Sequence, residues 1–147
     1  MTQVDFYVLQ EGSRMNRERL VCVLTEKAFA KGQHLYIHAA SESQAGLLDE
    51  MLWTFKDISF LPHALNPSPD EGNLPILIGW AEAPPETFPL MINLAHPSPD
   101  FVDRFERVIE VVDPDPETRR LARERYRDYQ SRGCTLQTHE IANAQPV

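Results

Sequence analysis

The chain has 147 residues, 42% of them hydrophobic and 24% charged, which is the composition of an ordinary soluble domain. Its net charge of −8 at pH 7 repels a phosphate backbone and argues against strong, direct binding of nucleic acid. Two cysteines are too few for a disulfide framework or a zinc site, so we expect reduced thiols in a cytoplasmic protein. We also expect neither a signal peptide nor a membrane span.

The first half of the chain alternates strand and helix patterns. Hydrophobic periodicity predicts a strand over Val4–Leu9, a helix that ends near Gly32, and a second strand over His34–Ala40. Ser41 followed three residues later by Gln44 is a capping-box signal for a second helix. A strand-helix-strand-helix order indicates parallel strands joined by crossover helices.

The second half opens with a segment, 62–75, that is rich in Pro, Asn, Ser, Asp and Gly and predicts a long surface loop. Short apolar runs then predict a buried central strand over Pro75–Trp80 and a further strand over Leu90–Leu94. Ser98 and the proline after it predict the start of a short helix. Arg107–Val112 is the last clear strand in the sequence.

The final predicted helix has clear start and stop signals. Asp115 is a good N-cap residue, Pro116 suits the first helical position, and the helix should stop before Gly133. Together the elements predict one α/β domain over residues 1–142, with an open, mainly parallel sheet, helices on both faces and a Rossmann-like topology. We expect residues 143–147 to be a frayed tail.

The sequence lacks the motifs of nucleotide-binding and catalytic sites. Its six glycines are scattered, and they form neither a phosphate-binding loop nor a dinucleotide fingerprint. The five histidines show no metal-ligand spacing with acids or cysteines, and no nucleophile elbow is present. We therefore predict no cofactor and no metal, and we name no catalytic residue.

The predicted last helix has a net positive charge in an otherwise acidic chain. Residues 119–132 contain six arginines and two acids, a local charge of +4, whereas the rest of the chain carries −12. At about 100° per residue, four of the arginines share one arc with a tyrosine at its border. These residues are Arg119, Arg120, Arg123 and Arg127, with Tyr126 at the border. The arc is either a solvated face with pairs such as Arg120 with Glu124, or a binding surface for a small anionic partner.

An aromatic cluster follows the second predicted helix. Trp53 stands at the end of that helix, and Phe60 and Pro62 follow closely in the chain. Large aromatic residues usually lie in the core, but a cluster beside a proline-rich loop is also typical of the anchors of a protein interface. The sequence leaves both interpretations open.

Five motifs occur together in one order: Asp5-Phe-Tyr7, Leu48–Trp53, Phe60–Leu65, Ile76–Trp80 and Leu121–Tyr126. In these motifs, and over nearly its full length, the chain resembles the chi subunit of bacterial DNA polymerase III holoenzyme. The resemblance implies an α/β accessory subunit of the clamp-loader complex, without catalytic activity of its own, that acts in DNA replication and repair. It implies two partners, the psi subunit and the acidic C-terminal tail of the single-stranded DNA-binding protein.

The resemblance also implies which residues bind the tail. Val112 would form a wall of the pocket for the terminal Phe of the tail, Arg123 would bind its carboxylate, and Arg119 would meet its acidic side chains. Tyr126 completes the set that the resemblance supplies. Helical spacing adds Arg120 and Arg127 to this site.

The psi-facing surface implied by the resemblance comprises Trp53, Phe60 and Pro62. A repair helicase is implied as a second user of that surface. An alternative function stays open from the residues alone: a small cytosolic α/β enzyme that clamps an anionic substrate with its arginine helix. Direct DNA binding through that helix also stays open, although the net charge disfavours it.

Overall fold

The computed structural model describes residues 2–11, 16–54, 62–65, 75–80, 83–84 and 88–141. Within these ranges the strands are β1 (Gln3–Leu9), β2 (Leu35–His38), β3 (His63–Leu65), β4 (Ile76–Gly79), β5 (Leu90–Asn93), β6 (Arg107–Val112) and β7 (Thr135–Ile141). The α-helices are α1 (Arg17–Ala30), α2 (Glu42–Thr54) and α3 (Pro116–Ser131), and a short 3₁₀ helix covers Asp100–Arg104.

The strands form one open sheet in the order β3-β4-β2-β5-β6-β1-β7. All pairings between neighbouring strands in the described ranges are parallel. β1 lies between β6 and β7, so that Phe6 stands opposite Glu110 on one side and Thr138 on the other. The predicted open, parallel α/β sheet is therefore confirmed.

Helices cover both faces of the sheet, as predicted. α1 and α2 pack on one face, where Val21 and Leu48 belong to the same apolar cluster as Ile37 of β2. α3 packs on the other face, where Ala122 and Val108 belong to a second cluster. Each fully buried aliphatic side chain contributes roughly 1.5–3 kcal/mol relative to an exposed one, so the two clusters hold the layers together.

The capping signal at Ser41 is confirmed in the structure. The Ser41 hydroxyl accepts a hydrogen bond from the Gln44 backbone N–H at 3.1 Å. In return the Gln44 side-chain oxygen accepts from the Ala40 N–H at 2.7 Å, one residue before the usual partner in a capping box. The start of α2 is thus stabilised from both directions by side chains that the sequence specifies.

The loop predicted over 62–75 was wrong in part, because its first residues form strand β3. This strand pairs with β4 at the edge of the sheet, so that β4 is an interior strand one position from that edge. Three residues are too few to show the alternating pattern that identifies a strand in a sequence. Residues 66–74 of the predicted loop lie outside the described residues.

The prediction that Arg107–Val112 is the last strand was also wrong. β7 follows α3 and adds seven residues to the edge of the sheet beside β1. All of these residues are exposed or only partly buried, so the strand lacks the apolar run that marked the interior strands. The predicted frayed tail over 143–147 lies outside the described part of the chain.

Candidate functional site

Helix α3 begins and ends at the residues that the sequence indicates. The Asp115 carboxylate accepts a hydrogen bond from the Thr118 backbone N–H at 3.0 Å, and Pro116 occupies the first turn. Gly133 follows the helix with a φ of 82°, a left-handed conformation that costs glycine little. These two ends fix the length of α3 and turn the chain into β7.

The inner side of α3 carries a buried ion pair that the sequence analysis did not identify. Arg125 Nε donates to Glu110 Oε1 at 3.0 Å, and the two side chains are 5% and 0% exposed. Tyr129 donates its hydroxyl proton to the other carboxylate oxygen at 2.6 Å, and Asn93 donates to the same oxygen at 2.8 Å. Burial, followed by the nearby Glu110 carboxylate, raises the pKa of Tyr129. This network fixes how α3 is rotated against the sheet.

One sequence signal could have pointed to this inward arginine. Arg125 lies three residues after Ala122 and four before Tyr129, and all three are buried on the same side of the helix. Helical neighbours at these spacings share a face. The acid that pairs with Arg125 comes from a distant strand, however, and helical spacing gives no information about it.

A pocket opens between α3 and the sheet, with a volume of about 210 Å³. Its lining combines residues of β1, β6, α3 and β7: Phe6, Val8, Val112, Arg119, Ala122, Arg123, Tyr126 and Thr138. Pockets that hold drug-sized ligands usually measure about 300–1,000 Å³, so this one suits a single side chain. Four of the residues predicted for tail binding, Val112, Arg119, Arg123 and Tyr126, therefore lie around one cavity.

The floor of the pocket is apolar and aromatic. Val8 and Val112 stand opposite each other in the pairing of β1 with β6. The ring of Phe6 lies 5.4 Å from that of Tyr126 and 6.0 Å from that of Tyr129, measured between centroids. Such tilted and edge-to-face contacts are favourable for aromatic rings, and they hold Tyr126 at the side of the cavity. The floor can accept an apolar side chain with little polar surface to desolvate.

Two guanidinium groups flank this apolar floor. Arg119 donates through Nη2 to the carbonyl oxygen of Leu9 at 3.3 Å, which ties the side chain to the end of β1. Its Nε is buried and has no hydrogen-bond partner among the described residues, a state that costs roughly 1–3 kcal/mol for a polar group. Arg123 is exposed and lines the pocket. The site is therefore cationic at its rim and can accept carboxylate groups.

Arg120 and Arg127 do not line the pocket. Arg120 donates to Glu117 at 2.9 and 2.6 Å and to Glu124 at 2.7 Å, all on the surface of the same helix. For Arg120 the interpretation as a solvated face with intrahelical pairs therefore describes the structure. Arg127 is exposed on the same helix. The arc that helical spacing predicted is wider than the face that meets the pocket.

The pocket lies where the crossover connections leave the sheet in opposite directions. β1 is followed by α1 on one face and its neighbour β6 by α3 on the other. In open α/β sheets, ligands bind in the crevice at the carboxyl ends of strands at such a switch point. Val8 and Val112 stand at those carboxyl ends, so the position of the pocket follows from the topology.

The second predicted surface lies on the face of the sheet opposite α3. Trp53, near the end of α2, is 47% exposed, and its ring centroid lies 4.1 Å from that of His63. His63 in turn contacts Asp49 of α2, with Nε2 3.2 Å from the carboxylate and 3.0 Å from the backbone carbonyl. Pro62 is partly buried just before β3, and Phe60 lies outside the described residues. Trp53 is thus a surface residue supported by β3, and the core interpretation does not hold for it.

Three titratable side chains of the described residues, Cys22, Cys134 and His38, lie outside the pocket. Cys22 and Cys134 are free thiols, and burial raises the pKa of Cys22 to about 12. Burial lowers the pKa of His38 to about 4. In the described ranges, no three His, Cys, Asp or Glu side chains are grouped to hold a metal ion. Likewise, none of the helices described is both long and apolar enough to cross a membrane.

Fold and pocket define an open-sheet α/β protein with a cationic, aromatic pocket at the switch point of its sheet. The chain belongs to the family of the DNA polymerase III chi subunit, HolC, whose sequence model matches residues 1–137. This confirms the resemblance found in the sequence motifs. Membership implies a place in the DNA polymerase III holoenzyme and in DNA replication.

Individual relatives are similar to the chain over nearly its whole length. The chi subunit of Pseudomonas aeruginosa is 38% identical over 141 residues, which cover 96% of this chain and 98% of the relative. That of Haemophilus influenzae is 32% identical over 138 residues, with 93% and 96% covered. That of Escherichia coli is 31% identical over 143 residues, with 94% and 97% covered.

Proposed function

We propose that the protein is a non-catalytic adaptor of the polymerase holoenzyme. It binds the acidic C-terminal tail of the single-stranded DNA-binding protein in the α3 pocket and the psi subunit at the surface around Trp53. In this way it links the clamp-loader complex to coated single-stranded DNA during replication. The observation that carries the proposal is that Val112, Arg119, Arg123 and Tyr126 line one pocket.

The chemistry of the pocket fits such a tail. An acidic peptide that ends in Pro-Phe with a free carboxylate needs an apolar slot for its ring and cations for its charges. The apolar floor next to Val112 suits the ring, and Arg123 at the rim suits the terminal carboxylate. Arg119, which lines the pocket and is only partly buried as a whole, suits an acidic side chain.

The distribution of charge favours a short acidic ligand over a long one. The segment 119–132 carries +4, and the remainder of the chain carries −12. A short tail can end inside the cationic region, whereas a DNA strand that extends beyond α3 meets a repulsive surface. The proposed adaptor therefore reaches DNA through the tails of the binding protein and does not bind naked DNA strongly.

The surface around Trp53 is the proposed site for psi, and for a repair helicase that competes with psi. Exposed aromatic residues at the centre of an interface commonly act as binding anchors. Trp53 lies on the α2 face of the sheet, and the pocket lies on the α3 face. One molecule can consequently bind the tail in its pocket and psi at the Trp53 surface at the same time.

The pocket lining favours binding over catalysis. Its side chains are apolar, cationic or hydroxyl-bearing, and none of the described lining residues is an acid, a histidine or a cysteine. The hydroxyls of Tyr126 and Thr138 therefore have no carboxylate, imidazole or thiol beside them in that lining to activate them. This is why we prefer the adaptor to the alternative of a small enzyme with an arginine clamp.

The proposal is tested by titrating a fluorescent peptide of the Asp-Ile-Pro-Phe type and following its anisotropy. Arg123→Ala should weaken binding about tenfold or more, because a charge-assisted hydrogen bond contributes roughly 1.5–3 kcal/mol. Lys27→Ala removes one exposed cation from α1 on the opposite face and serves as the matched control for net charge. Equal affinities of the two variants, both folded, would refute the assignment of the tail to this pocket.

A further inference from the structure

Strand β7 has one open edge in the described structure. It pairs with β1 on one side, and it is the terminal strand of the sheet. The Thr135 N–H donates to Thr2 at 3.1 Å, and the Ile141 carbonyl accepts from Gln10 at 3.0 Å, so both residues direct their backbone groups towards β1. Backbone direction alternates along a strand, and the even-numbered residues between them therefore point away from β1.

Three residues carry these outward backbone groups: Leu136, Thr138 and Glu140. Their side chains share the face that α3 covers, because side-chain direction alternates with the same period. Leu136 packs against the apolar cluster under α3, and Thr138 lines the pocket. Thr138 thus belongs both to the wall of the pocket and to the open edge of the sheet.

We propose that the acidic peptide bound in the α3 pocket continues along the open edge of β7 as an added strand. This inference rests on the proposed function. Extended peptides commonly bind by adding a strand to a sheet edge, with backbone hydrogen bonds supplying affinity and pockets supplying specificity. Here the pocket holds the terminal aromatic residue, and the N–H and C=O groups of Leu136, Thr138 and Glu140 pair with the residues that precede it.

Charge complementarity favours an acidic peptide over a second copy of the chain as the occupant of this edge. A second copy would bring a net charge of −8 against an equal charge. The peptide instead lies beside α3, which contacts β7 and carries a local charge of +4 over residues 119–132. The one acid of β7, Glu140, accepts a hydrogen bond from the Gln10 side chain. Peptide side chains in register with Thr138 point to the α3 face, where Arg119 and Arg123 flank the pocket.

The first test uses the wild-type protein and peptides that are N-methylated at one residue at a time upstream of the Pro-Phe end. Pairing with β7 requires every second N–H of the peptide, so methylation should lower affinity about fivefold or more at alternate positions and little at those between. An unmodified peptide that binds while no methylated position shows a loss overturns the added strand and leaves the pocket assignment standing. An unmodified peptide that does not bind overturns both.

The second test changes the edge itself. Thr138→Pro removes one outward N–H without touching the ladder to β1, and Thr138→Val keeps the N–H with a side chain of similar shape. The proline variant should bind the peptide about fivefold more weakly than the valine variant, since one backbone hydrogen bond is lost. Equal affinity of the two folded variants contradicts the proposal.

Hydrogen exchange measured on the wild-type protein gives a readout that does not depend on folding of a variant. The amides of Leu136, Thr138 and Glu140 should exchange rapidly in the free protein and slow about tenfold or more when peptide is added. Those of Gln137 and His139, which face β1, should be protected throughout. Protection of the outward amides without peptide would overturn the proposal. If that protection rises with protein concentration, a second copy of the chain occupies the edge. If the protection does not depend on concentration, another part of the same chain occupies the edge.

Discussion

The inner and outer sides of α3 use the same residue type for opposite purposes. Arg125 points inward, is 5% exposed, and is neutralised by Glu110 of β6. Arg123, two positions earlier, is exposed at the rim of the pocket, and no described residue forms an ion pair with it. Arginine supports structure where the fold supplies its acid, and it is available for a ligand where the fold does not.

The largest expected effect comes from removing the buried ion pair on the inner side of α3. Arg125→Ala leaves Glu110 charged and buried, and removing one partner of a buried pair typically costs about 3–5 kcal/mol of unfolding free energy. Denaturation in urea measures this loss. Arg127→Ala, an exposed arginine on the same helix, should change stability by no more than about 0.5 kcal/mol. A similar loss for both variants would show that the buried pair does not hold α3.

The second largest effect is expected at the surface around Trp53, on the face of the sheet opposite α3. Trp53→Ala should weaken binding of a psi-like partner by about 2 kcal/mol or more, as truncation of an aromatic anchor does. Leu47→Ala is the matched control, since Leu47 is an equally exposed apolar residue on α2 at 48% against 47%. Calorimetric titration with psi measures the loss, and the tail peptide should bind both variants normally. Loss of tail binding in Trp53→Ala would mean that the two surfaces are not independent.

Added salt should weaken tail binding on the outer side of α3 and leave the buried ion pair on its inner side almost unchanged. Screening acts over about 10 Å in 0.1 M salt and weakens exposed charge pairs far more than buried ones. We expect tail affinity to fall about tenfold between low and moderate salt, in line with the loss of exposed pairs at the pocket rim. The unfolding free energy attributable to Arg125 and Glu110 should hardly change over the same range. A salt-independent affinity would contradict the role of the rim arginines.

The smallest effect is expected at the arginine that already has partners on the helix surface. Arg120 is held by Glu117 and Glu124, so Arg120→Ala should change tail affinity less than about twofold. Anisotropy titration beside Arg123→Ala gives the comparison directly. A loss as large as that of Arg123→Ala would mean that Arg120 leaves its acids when the peptide binds, and that the tail covers the whole arc.

Local signals predicted α3 well, because the information lies within the helix itself. Asp115 and Pro116 specify its start, and Gly133 specifies the turn that follows. β7 escaped prediction, since an edge strand without a buried face has no regular pattern of apolar residues. β3 escaped for a related reason, being only three residues long.

The candidate site was predictable only in part. The resemblance supplied all four pocket residues, and helical spacing by itself had already indicated Arg119, Arg123 and Tyr126. Arg120 and Arg127, which spacing added, do not line the pocket. Helical spacing defines an arc around the helix axis, but the strands packed beneath the helix decide how much of that arc lines the pocket. Thr138 and Phe6 enter the pocket from strands far away in the sequence, and a single helix carries no signal for them.

The pairing of β1 has a consequence for how the protein is made. The first strand of the sheet has its two partners in β6 and β7, and Thr2 bonds to Phe105 across a separation of 103 residues. During synthesis β1 cannot pair until β6 and β7 have been made, whereas β2, β4 and β5 can pair with one another earlier. The pocket is assembled from this late half of the sheet together with α3. A nascent chain therefore completes this pocket only when its last strand has joined the sheet.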